Sequence, residues 1–164
     1  MNILGINCIA YDSSSCLVQD GKLIAAFEEE RLNREKYTTR FPQLGIRKCL
    51  EAGGIRLEDV DVITLNWNPW VGIWRRGWLS LRHSPLSLFG IGVRQGRASG
   101  SKWLEILTLS RAFEKHFGIS ALRIAPKIRY ITHHNAHAAS TYFVSGFERA
   151  AVLSEGDEIQ ARDI

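Results

Sequence analysis

No apolar run in this 164-residue sequence approaches the roughly 18 residues that a membrane-spanning helix needs, so a helical membrane span is excluded. The N-terminus, MNILGINCIA, lacks the basic head of a secretory signal and meets Asp12 too soon to be one. Cysteine is sparse, and Cys8, Cys16 and Cys49 show neither paired nor zinc-finger spacing. That argues against a disulfide framework and predicts small reduced core residues in a cytoplasmic protein. No HExxH is present, which leaves a zinc peptidase without support. Internal repeats and low-complexity tracts are also missing. Acid is scarce in one stretch: residues 75–129 hold eleven Lys and Arg against only Glu105 and Glu114. Such a block can attract phosphates, nucleic acid or an anionic membrane. Its tryptophans could stack on bases, but no periodic basic stripe supports that reading. A solvated helix surface, or an insertion docking on an acidic partner, explains the block more simply.

What is present reads as an α/β domain with a mixed sheet. NILGIN (2–7) is an apolar strand ending in turn residues. Residues 15–31, SCLVQDGKLIAAFEEER, are two apolar runs about Asp20-Gly21, a strong hairpin signal because Gly takes the positive φ the turn requires. The first three strands therefore form an antiparallel meander. Pro42 opens a helix that Gly53-Gly54 closes, and VDVITLNW (60–67) is a further strand ending in NWNPW. Residues 68–101 mix Pro, Gly, Trp and Arg without a period, and are predicted to be the least ordered part. A helix follows from Ser101 or Lys102 to Phe117, with Trp103, Ile106, Leu107, Ser110, Phe113 and Phe117 on one face. KIRYI (127–131) is a short strand, Thr132 caps a helix through about Phe143, and RAAVLS (149–154) is a last strand.

The chemistry concentrates in ITHHNAHAAS, where three of the five histidines fall within residues 133–137. His133 and His137, four apart, share one helical face and can reach one ion, whereas His134 points elsewhere. Imidazole suits iron and zinc, and a carboxylate usually completes such a site. Free N–H groups at the helix start would favour an anion beside Asn135. A His pair at this spacing is also common by chance, and Asp12-Ser13-Ser14-Ser15 alone is ordinary turn chemistry.

Taken together, ILGIN, DSSSCLVQDGKLIAAFEEERLNREK, RFP and HH-x-AHAAS resemble the carbamoyltransferases of the nodulation protein U type. The resemblance implies an incomplete actin/Hsp70/sugar-kinase-like (ribonuclease H-like) lobe, related to the tRNA threonylcarbamoyl transferase. Residues 1–164 would be the truncated N-terminal portion of the carbamoyltransferase domain, with a helical insertion about 68–118. It implies transfer of a carbamoyl group, made elsewhere from carbamoyl phosphate and ATP as carbamoyladenylate, to the hydroxyl of a sugar or natural product. No nucleic acid and no membrane enter that scheme. Asp12, Tyr11 and Lys36 would be catalytic. Ser13, Ser14, Ser15, Arg34 and Asn135 would bind the nucleotide or carbamoyl oxygens. His133, His137 and Asp157 would hold a divalent metal, iron(II) by resemblance.

The departures are specific. Tyr11 and Tyr37 stand where the family carries His, and a phenol with pKa near 10 is a poor base at neutral pH. Gly156 aligns with the family's third ligand, so Asp157 would serve after a one-residue shift, Glu155 less well. The chain stops at Ile164, so a fragment inactive on its own is expected. An inactive remnant that binds nucleotide or metal, or acts as an interaction module, is the alternative.

Overall fold

A computed structural model describes residues 1–8, 12–70 and 106–153. Strands β1 (Asn2–Asn7), β2 (Ser14–Gln19) and β3 (Lys22–Glu28) form the expected meander, joined between β2 and β3 at Asp20-Gly21. Both turn residues take positive φ, 49° and 79°, the twist that lets a two-residue loop match right-twisted strands. β4 (Val62–Leu65) then pairs parallel with β1, and β5 (Ile128–Tyr130) parallel with β4. The sheet order is β3-β2-β1-β4-β5. This five-stranded mixed sheet with its helices is the α/β architecture expected, and it fits an incomplete ribonuclease H-like lobe.

Alternation along the strands decides which face is buried. Leu4 and Ile6 of β1, Leu17 of β2, and Ile63 and Leu65 of β4 all point to one side. There they meet Ile46, Cys49 and Leu50 of α2 (Gln43–Gly53) and Leu109 and Phe113 of α3 (Leu109–Phe117, counting α1 as Glu29–Asn33). Phe41 closes this core, its ring edge-on to Phe113 at 5.0 Å. Gly54 and Gly118, at φ 63° and 72°, end α2 and α3. A four-residue turn of helix, α4 (Ala121–Ile124), buries Ile124 and leads into β5.

Two expectations need correction, and one element is unforeseen: β3 ends at Glu28, opposite Ser14, and α1 adds five residues of helix after it. The helix expected over 101–117 is broken at Thr108, and α3 proper starts at Leu109; residues 101–105 lie outside those described. Residues 149–153 form no strand: they are largely exposed, Leu153 at 96 %, and among the described residues no neighbouring strand supplies the hydrogen bonds that extended backbone requires. Of the stretch 68–101, only 68–70 are described.

Candidate functional site

Parallel pairing makes β1, β4 and β5 deliver their carboxyl ends to the same edge of the sheet. The antiparallel register Asn7↔Ser14↔Glu28 brings the start of β2 and the end of β3 to that edge as well. Open α/β sheets bind ligands outside the carboxyl ends of their strands. Three separated sequence motifs lead toward this edge: the β1–β2 connection, the loop after α1, which follows the end of β3, and the start of α5 (His133–Tyr142), which follows β5.

Asp12 sits in the β1–β2 connection with φ 44°, and its carbonyl accepts from Asn7 Nδ2 at 3.2 Å. Its Oδ1 is buried and finds no hydrogen-bond partner among the described residues. A buried acceptor of this kind is costly unless something else satisfies it. The three serines divide by the two-residue period of the strand. Ser13 is buried, its Oγ donating to the Arg40 carbonyl at 2.5 Å and its N–H to Thr38 at 2.9 Å. Ser15 is buried with Oγ 3.6 Å from Cys49 Sγ. Both hydroxyls hold the fold, and only Ser14 turns its Oγ to the other side of the sheet.

Beyond α1, Arg34 ends the helix in the left-handed conformation and Lys36 follows, both exposed. Neither makes an ion pair among the described residues. Tyr37, 74 % exposed, donates its N–H to Glu30 Oε2 at 3.1 Å. Glu29 is buried, and its carboxylate accepts from the N–H groups of Leu44 and Gly45 at 3.1 and 2.8 Å. It caps α2 from outside the helix, because Pro42 at the N-cap has no side chain to do so.

α5 starts where Thr132 leaves the extended conformation, although the threonine side chain makes no cap bond. One turn apart, His133 and His137 bring their Nε2 atoms to 3.0 Å. Their rings cross at 78° with centroids 4.4 Å apart. Two imidazole nitrogens at that separation fit two neighbouring ligands of one ion with metal–nitrogen bonds of about 2.0–2.1 Å. Without an ion, one ring donates to the other, which fixes opposite tautomers. His134 and Asn135 lie exposed beside the pair. Asp157, with Glu155, Gly156 and Tyr11, lies outside the described residues, and no group of three potential metal ligands occurs among those described.

Sequence reasoning passed over Trp67, whose ring centroid lies 6.2 Å from that of His133. Its signal was NWNPW at the carboxyl end of a strand. It also passed over the cleft of about 960 Å³ between α5 and the sheet. Gly5, Cys16 and Thr64 floor this cleft, and Ala136, Ala139 and Ser140 roof it. Burial pushes the Cys16 thiol up, so it stays protonated and unreactive. Among the described residues, no helix is long and apolar enough to cross a membrane.

A family model described as "Carbamoyltransferase N-terminus" matches residues 2–157. The uncharacterized protein sll1178 of Synechocystis sp. is 38 % identical over 93 % of this chain and 25 % of its own length. Nodulation protein NolNO of Sinorhizobium fredii is 32 % identical over 90 % of this chain and 20 % of its own. An uncharacterized 19.2 kDa protein of Rhizobium etli is 40 % identical over 35 % of the chain and 33 % of that protein. The chain thus spans a quarter or less of the first two.

Proposed function

We propose, because this chain belongs to the carbamoyltransferase N-terminus family, that it supplies the lobe on which a carbamoyl group reaches an acceptor hydroxyl. The observation that carries this reading is the His133–His137 pair, on the helix that follows β5, at the sheet edge to which the connection bearing Asp12 also leads; Asp12 Oδ1 has no partner among the described residues. The donor is carbamoyladenylate, which in the family a second domain would make from ATP and carbamoyl phosphate. The acceptor belongs to a sugar or natural product.

The acceptor oxygen bonds to the carbamoyl carbon, the carbon–oxygen bond to the adenylate phosphate breaks, and AMP leaves with the electron pair. The hydroxyl proton passes to Asp12, whose free acceptor oxygen also fixes the direction of the O–H. A divalent cation, iron(II) by resemblance, would be held by His133 and His137 with Asp157, and would supply Lewis acidity toward the transferring oxygens. Arg34 and Lys36 offset the phosphate charge of AMP as it departs, while Ser14 and Asn135 supply neutral donors. Ser13 and Ser15 act at one remove, by holding the connection that carries Asp12. Tyr11, neutral at pH 7, serves as a donor and leaves the base role to Asp12.

A second reading, a binding module without transfer, is favoured by Tyr37, a phenol where the family carries His, which stands exposed beyond α1. AMP binding with and without cobalt(II) tests what the two share. Binding should require the metal and fall at least about tenfold in His133→Ala. Equal AMP binding without metal, or in the variant, overturns both readings. Carbamoyl transfer from carbamoyladenylate to a sugar, lost in Asp12→Asn, separates the first from the second.

A further inference from the structure

A second cavity, of about 670 Å³, lies on the opposite side of the sheet from the α5 cleft. One wall is the segment Thr39–Phe41, and the other is the polar face of α3. Among the described residues it is lined by Arg40, Arg111, Lys115 and His116, and by no Asp or Glu. We propose that this cavity is an anion site that takes a small phosphorylated molecule.

Acidic partners among the described residues do not account for the charge arrangement. Arg111 and Lys115 are one turn apart on α3, a spacing at which like charges repel. Both are exposed, and neither forms an ion pair among the described residues. Arg111 sits in the first turn of α3, which holds no acid, so the positive end of the helix dipole adds to its charge. Lys115 and His116, in the last turn, are the only two of the group that the dipole favours. On the facing wall, Arg40 is held by Glu35 at 3.2 Å, a surface pair too weak to neutralise the cavity. The imidazole of His116 is held below its usual range, first by desolvation and then by Lys115 and Arg47, in keeping with a positive field here.

The walls are fixed before any ligand arrives. Phe41 stacks on His116 at 5.3 Å and meets Phe113 edge-on, which ties residues 39–41 to α3. Cations spread over two elements suit a compact tetrahedral anion, which accepts from several directions, better than a single planar carboxylate. The volume exceeds that of a bare phosphate and lies in the range of small-ligand sites, so the phosphate would carry an organic group. The site is bolted to the catalytic edge, since the Arg40 carbonyl accepts from Ser13 next to Asp12. This inference does not depend on the metal pair.

Calorimetric titration of the whole chain with inorganic pyrophosphate, in chelator and at fixed ionic strength, tests it. Wild type should bind, and the double variant Arg111→Gln/Lys115→Gln should bind at least about tenfold more weakly. His137→Ala should bind as wild type does. Each single Gln substitution, at an exposed position that leaves packing intact, should weaken binding about threefold. No binding by wild type at millimolar pyrophosphate, equal binding by the double variant, or loss in His137→Ala would each overturn the proposal.

Discussion

The two faces of the sheet share five strands and little else. On one face Leu4, Leu17, Ile46, Ile63 and Phe113 have no exposed surface, and two helices lie packed on them. On the other, α5 spans ten residues and buries none of them. Burying a Leu, Ile or Phe side chain is worth about 1.5–3 kcal/mol, so the first face supplies the stability of the lobe. The second face is then free to carry groups that burial would penalise: two histidines, an exposed tryptophan, and a floor of Gly, Ser, Cys and Thr. The packed core and the candidate metal pair lie on opposite sides of one sheet.

Phe113→Ala should break the lobe if the division is real. It deletes a ring in contact with Phe41 and Phe117, and urea unfolding should show a loss of about 3–5 kcal/mol. Gly53→Ala should follow. The new methyl would stand 2.3 Å from Cδ2 of Leu17, which is fully buried and cannot retreat, so a loss of about 1–3 kcal/mol is expected. Glu29→Ala should cost a similar or smaller amount, about 1–3 kcal/mol, by leaving the Leu44 and Gly45 N–H groups without their acceptor. On the other face, Ala139→Gln should change stability by less than about 0.5 kcal/mol; a large loss would show that α5 is packed after all.

The smallest effect concerns pH. His116, on the core side, has its pKa lowered by desolvation and by neighbouring Lys115 and Arg47. The unfolded chain therefore takes up the proton more readily than the folded one. Its contribution is present above the ordinary histidine range near 6.5 and is lost as pH falls below it. His116→Phe should flatten that part of the stability–pH curve, measured by urea unfolding between pH 8 and 5.5.

The core side was legible because its signals are local. Asp20-Gly21 announced the hairpin, Gly53-Gly54 the end of α2, and the apolar runs the buried strands. α1 escaped because no turn residue separates it from β3, and a left-handed Arg34, not a glycine, stops it. The strand expected at 149–154 failed over 149–153 since an apolar run specifies extended backbone only when another strand edge receives it. On the site side the His133–His137 spacing was readable, since four residues make one helical turn. The division among Ser13, Ser14 and Ser15 was not, because it depends on where β2 starts. Trp67 belongs to the site only through parallel pairing of β4 and β5, which no local signal carries.

The division between the faces is tested most directly by one variant measured twice. In His137→Ala, cobalt(II) binding at pH 7.5, followed by visible absorption, should weaken at least about tenfold, while the free energy of urea unfolding without metal stays within about 0.5 kcal/mol of wild type. Undiminished cobalt binding would show that the pair is not the metal site, and a loss of stability beyond about 1 kcal/mol would show that α5 belongs to the core.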